Sequence, residues 1–199
     1  MINLSHFNRQ FKGVVHVGAH DLQELEYYKS LGIKNRMWVD GNRKTTKEGE
    51  LIIGAYIGDG KPYHVVYIAS NNGESTSLLK PLLHLEKYPE IKFMRKYIDE
   101  EVQTYRLDQV GFGDQLKEGH DFDLLVLDIQ GMEYSTLKAM DKYATYFDCI
   151  VTEAYLEELY EGCGYLHEID TLLEGRGYER VAFEEEQGKG WGNAYYQKK

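Results

Sequence analysis

The sequence predicts an α/β fold: an open, mostly parallel sheet covered on both faces, with an antiparallel strand pair at its C-terminal end. Three observations carry this expectation. Short apolar runs rich in β-branched residues recur along the chain, and such runs suit strands buried on both faces. Segments with apolar residues at helical spacing stand between several of them, the alternation of βαβ units. The last two runs are joined only by QGKGW, a polar glycine turn that suits a hairpin.

Taken in order, GVVHV (13–17) is the first strand. DLQELEYYKSLGI (21–33) follows with Leu22, Leu25, Tyr28 and Leu31 at helical spacing. Asp21 is the expected N-cap, Gln23 and Glu24 suit the first turn, and Gly32 ends the helix. NRMWVD (35–40) is a second buried strand and ELIIGAYIG (50–58) a third. Too few residues join them for a crossover with a full helix, which needs about 10–12, so a loop or single turn is expected. PYHVVYIAS (62–70) alternates and reads as a half-buried strand. NNGESTSLL (71–79) is a polar loop leading into a helix over LLKPLLHLEKY (78–88).

EVQTYRLDQV (101–110) reads as another strand. FDLLVLDIQG (122–131) is the strongest parallel-strand signal in the chain. EYSTLKAMDKYATYF (133–147) is an amphipathic helix with Leu137, Met140 and either Tyr143 or Ala144 inward. DCIVTEA (148–154) is a strand and YLHEIDTLLEGRGY (165–178) a helix ended by glycines. YERVAFEEE (178–186) and GNAYYQ (192–197) are the closing strands.

The totals fit one domain over residues 1–199. A hydrophobic content of 42% can fill a core, and a net charge of -10 argues against a nucleic-acid backbone as partner. Cys149 and Cys163 are too few for a disulfide framework or zinc site, so reduced thiols and a cytoplasmic setting are expected. No apolar run reaches about 18 residues, which predicts no membrane span. The polar first residues predict no secretory leader.

In open α/β sheets the ligand sits beyond the carboxyl ends of the strands. Gly18, Ala19, His20 and Asp21 follow the first strand, Asp40 and Gly41 the second, and Asp128 and Glu153 end later ones. A glycine directly after a buried strand marks close approach to the backbone. The spacing from Gly18 to Asp40 matches the distance at which an acid meets ribose hydroxyls in nucleoside-binding units. The dinucleotide signature G-x-G-x-x-G is absent, and Asp21 at a helix start would repel a pyrophosphate. A phosphate-free nucleoside bearing positive charge fits, and S-adenosylmethionine has that chemistry.

The segments VVHVGAHDLQELEYY, MWVDGN, SNNGESTSLL, TYRLDQV, DLLVLDIQGMEYSTLKAM, IVTEAYLEELYEG and GNAYY resemble, in this order, the FkbM family of S-adenosylmethionine-dependent methyltransferases. The match spans about residues 13 to 196. The resemblance implies a class I methyltransferase (Rossmann-like) fold with a seven-stranded sheet. It also implies methyl transfer, most often to a hydroxyl oxygen of a sugar or small metabolite. Carried over by position, Gly18, Ala19, His20 and Glu24 would face the methionine part of the cofactor. Asp40 and Gly41 would hold the ribose, and Asp59 would lie by the adenine. Asp128 and Gln130 would line the site beneath the methyl group. The chain departs from the family after Asp40, where a glutamate and a proline-containing helix are usual. It also lacks a substantial extra lid, so the acceptor is expected in a shallow groove or against a second subunit.

Methyl transfer to a weakly nucleophilic hydroxyl gains from a nearby base. His84 and Asp128 are the candidates, and Glu153 could orient the acceptor. The plainer roles are a surface histidine on a helix for His84 and a helix cap near Glu133 for Asp128. Asp128 with Glu153 could hold a divalent metal, but no third ligand stands at fixed spacing, so no metal is expected. His16 reads as a hydrogen-bonded core residue. Two other functions stay open: a non-catalytic nucleoside-binding module and a nicotinamide oxidoreductase. The expected partner is a small-molecule or carbohydrate acceptor, and the protein is expected to be a monomer or homodimer.

Overall fold

The computed structural model describes residues 2–41, 47–110 and 121–199. Its main sheet contains β1 (Gly13–Val17), β2 (Asn35–Val39), β3 (Leu51–Ile53), β6 (Leu124–Leu127), β7 (Cys149–Tyr155), β8 (Tyr178–Glu186) and β9 (Trp191–Lys198). The order is β3-β2-β1-β6-β7-β9-β8. β1 pairs in parallel with β2 and with β6, and β6 with β7, while β9 runs antiparallel to β7 and β8. The expected seven-stranded sheet with its antiparallel C-terminal pair is therefore present. The sheet reverses direction of growth at β1, between β2 and β6, which is where such sheets open a crevice for ligands.

The alternation of side chains across a strand explains the two cores. Val15 and Val17 of β1 pack on one face with Leu125, Leu127 and Ile150, covered by α3 (Glu133–Met140) and α4 (Leu166–Glu174). Val14 faces the other way with Trp38, Leu124 and Val126, covered by Phe7, Phe11 and α1 (Leu25–Ser30). His16 shares that second face. It is 3% exposed, its Nδ1 lies 3.0 Å from the Tyr28 hydroxyl, and burial pushes its pKa down to about 3. It is a neutral core histidine.

Several elements differ from the sequence expectation. The helix expected from Asp21 begins only at Leu25, and Asp21 does not cap it. Residues 20–24 turn instead, with His20 at φ +39° and Leu22 at φ +61°. The cause is tertiary: the His20 N–H donates to Asp40 at the end of the neighbouring strand. The helix then ends at Ser30, and Leu31 beyond it is 44% exposed rather than inward. The helix expected over 78–88 shrinks to the single turn α2 (His84–Lys87). Pro81 lacks an N–H, and the N–H groups of Leu82 and His84 donate to the Leu159 carbonyl rather than to a helix ladder. The strand expected over 101–110 is only the tail of β5 (Phe93–Gln103). Beyond it the chain forms a short 3₁₀ turn over Leu107–Gln109, where Arg106 pairs with Asp108 at 2.6 Å.

PYHVVYIAS does form a strand, β4 (Pro62–Ala69), but it leaves the main sheet and pairs antiparallel with β5. The loop 70–79 that follows it crosses the carboxyl ends of β1 and β6, where His20 reaches the Asn72 carbonyl and Ser77 donates to that of Gln130, and His84 of α2 lines the cavity beside them. The expectation of a chain without a lid is corrected by this cover. Among the described residues no helix is long and apolar enough to cross a membrane.

Candidate active site

Gly18 stands where β1 ends and meets β6. Its φ is +84°, and a β-carbon added to it would lie 1.5 Å from the Asp128 carbonyl oxygen. No side chain fits there, so the loop presents bare backbone. The N–H groups of Gly18 and Ala19 both donate to the Val39 carbonyl, at 2.8 and 3.2 Å. The His20 N–H donates to Asp40 Oδ2 at 2.9 Å. These bonds lock the loop after β1 to the end of β2. The His20 ring donates from Nε2 to the Asn72 carbonyl, 3.0 Å away, and so reaches the lid.

The segment after β6 is equally constrained. Gln130 adopts φ +52° and Gly131 φ +104°. Glu133 is 1% exposed and accepts from the N–H groups of Ile129 and Gly131, at 2.7 and 2.9 Å. The carboxylate that secures this turn is therefore Glu133, and the capping role considered for Asp128 belongs to its neighbour. The Gln130 amide nitrogen donates to Asp128 Oδ1 at 2.8 Å and to Glu153 Oε2 at 3.1 Å. Its amide oxygen accepts from the Tyr160 hydroxyl at 2.7 Å, and its backbone carbonyl from Ser77 of the lid at 2.6 Å. Tyr155 donates to Glu153 Oε2 at 2.9 Å. Gln130 thus sets the separation of the two carboxylates. Among the described residues no group of three metal-ligating side chains comes together.

Two cavities flank this junction, and Gly18, His20, Asp128 and Gln130 line both. The larger, of about 260 Å³, also takes in Ala19, Glu24, His84 and Glu153. The smaller, of about 70 Å³, takes in Asp40 and Gly41. Gly41 has no room for a side chain because the Tyr56 ring would lie 2.3 Å from its β-carbon. Asp59 lines neither cavity. It pairs with Lys61 Nζ at 2.6 Å and accepts from the Lys61 N–H, so its own turn consumes it. His84 is not on the surface: it is 4% exposed, ringed by Tyr88, Phe93 and Tyr160, and its Nδ1 has no hydrogen-bond partner.

Burial dominates the electrostatics. It raises the Asp128 carboxyl to about 6, with the charges of Glu24 and Asp40 adding to the rise and the Gln130 bond opposing it. It raises Glu133 to about 8 against the pull of its backbone donors. Glu153 is raised well above the usual range by burial and by the charges of Asp128 and Glu133. Burial lowers His84, which keeps the imidazole neutral.

A sign follows for stability. These folded carboxyls bind protons more tightly than unfolded ones, so their contribution is complete below the ordinary values of 3.8 and 4.5 and is lost as pH rises through about 6 and about 8. The ligand-free protein should therefore melt at a higher temperature near about pH 5 than near about pH 8. A thermal melt that rises steadily across that window would refute the burial of these groups.

Sequence reasoning missed part of the lining. Tyr56, Ile57 and Met132 wall the smaller cavity, and Glu74, Tyr88 and Trp191 the larger. Trp191 opens the last strand just after the glycine turn and carries no motif. Glu133 was visible only as the start of a helix. A glutamate directly behind DIQG, where the chain must turn tightly, is the signal that could have found it.

A family model described as "Methyltransferase FkbM domain" matches residues 16–180. Among solved structures, the magnesium protoporphyrin IX methyltransferase (ChlM) from Synechocystis PCC 6803 with bound SAM is similar at 11% identity. The alignment covers 96% of this chain and 72% of that one, with a TM-score of 0.45. No curated protein matches the sequence.

Proposed function

The chain belongs to the FkbM methyltransferase family, and from that premise we propose that it transfers a methyl group from S-adenosylmethionine to a hydroxyl oxygen of a sugar or another small polar molecule. The observation that carries this reading is the Asp40 carboxylate held 2.9 Å from the His20 N–H, beside a loop that presents bare backbone at Gly18. That arrangement suits an adenosyl group: a turn open to close approach and an acid one strand over for sugar hydroxyls. The charge of the lining agrees. Glu24, Glu74, Asp128 and Glu153 face the larger cavity and no lysine or arginine does, among the described residues. A sulfonium is welcome there and the pyrophosphate of a nicotinamide dinucleotide is not.

In this reading Gly18, Ala19, His20 and Glu24 hold the methionine part, and Asp40 with Gly41 holds the ribose. Tyr56 and Ile57 take the place beside the adenine that Asp59 does not reach. S-adenosylmethionine, when bound, supplies an electrophilic methyl group on a sulfonium. The chain's own work is to align the acceptor, keep water out and take a proton. Asp128 takes the proton, since its carboxyl stands near about 6 and is ionised at neutral pH. Gln130 holds it in place, Glu153 orients the acceptor, and the neutral His84 stands beside them as the second candidate base. We place the protein in the cytoplasm as a single domain.

Calorimetry with S-adenosylmethionine and S-adenosylhomocysteine tests the reading. Asp40→Ala should weaken both by about 1–3 kcal/mol, the usual cost of a lost charged hydrogen-bonding group. Binding of neither ligand to the unaltered protein would remove the reading. Binding without transfer of labelled methyl to any hydroxyl compound would favour a non-catalytic module.

A further inference from the structure

We propose that the acceptor carries a positively charged amine, held against Glu153 between the rings of Tyr88, Tyr155, Tyr160 and Trp191. This deepens the methyltransferase reading and rests on it for the identity of the other ligand.

The larger cavity divides by chemistry. Its end near Gly18 is lined by the loop after β1 and by residues of the 70–79 loop. Its far end is aromatic, with Glu153 as the acid. Glu153 is 7% exposed and is set by two donors on Oε2, from Gln130 and Tyr155. Trp191 Nε1 donates to the Tyr88 hydroxyl at 2.7 Å, which fixes those two rings against each other. Tyr155 and Tyr160 meet edge to face with centroids 6.0 Å apart. An acid with aromatic side chains beside it is the chemistry that recognises an ammonium group.

The lining charge points the same way. Four carboxyl side chains line the cavity and no lysine or arginine does, among the described residues. The burial that raises the Glu153 carboxyl leaves it poised to lose its proton when a cation sits against it. His84 supplies a further sign of a polar group missing from this end. It is 4% exposed, it lines the same cavity, and its Nδ1 has no partner. A buried polar atom left in this state is costly. A phosphorylated or carboxylated acceptor would meet only repulsion.

The test uses the full chain loaded with S-adenosylhomocysteine and three probes of similar size: choline, its uncharged isostere 3,3-dimethylbutan-1-ol, and 4,4-dimethylpentanoate. Binding is followed through the indole N–H resonance of Trp191, assigned with Trp191→Phe. Choline should shift that signal and bind at least about 10-fold tighter than the alcohol, with the carboxylate weakest. Glu153→Gln should cut the choline preference to about 2-fold or less while leaving the alcohol's binding as it was. Equal binding of choline and the alcohol, tighter binding of the carboxylate, or no choline effect up to about 100 mM would overturn the proposal. A failure of S-adenosylhomocysteine to bind would instead strike the donor reading, and the same titration on the ligand-free chain would still decide the amine.

Discussion

Gly18→Ala is expected to destabilise the protein by about 2–5 kcal/mol and to abolish donor binding in whatever remains folded. Two costs combine. A non-glycine residue at φ +84° carries the left-handed penalty of about 1–2 kcal/mol. The new methyl group would also sit 1.5 Å from the Asp128 carbonyl oxygen, and overpacking of this kind costs about 1–3 kcal/mol. The obstacle is backbone, so no side chain can rotate away. β1 and β6 would have to part where they pair from Val14 with Leu124 to Val17 with Leu127. Gly32→Ala isolates the first cost, because Gly32 has φ +73° with nothing within 4 Å of its added β-carbon. Urea unfolding of both variants checks the argument. Gly32→Ala should lose only about 1–2 kcal/mol, and equal losses in the two variants would refute the close approach at Asp128.

Asp128→Asn should lower turnover by about 10²–10⁴-fold, the usual contribution of a positioned base, while changing S-adenosylhomocysteine affinity by less than about 3-fold. The substitution keeps the acceptor oxygen that receives the Gln130 amide hydrogen at 2.8 Å. It also removes a half-buried charge that neighbouring Glu24 and Asp40 disfavour. The fold should therefore hold or gain slightly, and loss of activity can be ascribed to the carboxylate. The rate of the unaltered enzyme should fall as pH drops through about 6, where Asp128 takes up its proton, and the variant should lack that limb. Undiminished turnover in Asp128→Asn would take this residue out of the chemistry.

The main sheet was legible because its strands are buried on both faces. VVHV, MWV, LLVL and CIV are apolar without alternation, and only a covered parallel sheet has use for that pattern. The glycine after β1 and the acid after β2 were legible for a related reason, since the ends of such strands are where polar residues become affordable. The lid was not legible. β4 alternates as any half-buried strand does, and nothing local tells it to pair with β5 rather than join the main sheet. Residues 78–88 have helical spacing, yet Leu82 and His84 find their acceptor at Leu159, far away in the chain. Asp59 fell outside the cavities because Lys61, two residues on, satisfies it.

The sequence alone determined the α/β class, the seven-stranded sheet, the antiparallel closing pair and the family, because these rest on hydrophobic pattern and on motifs contiguous in the chain. Only the tertiary structure decided which carboxylate meets which donor. Gln130 bridges Asp128 to Glu153, Glu133 secures the turn between them, and Tyr88 joins Trp191 across 103 positions. The physical reason is that periodicity reports which face of an element is dry, whereas hydrogen bonds and buried charges are settled by distances between elements that no single segment encodes.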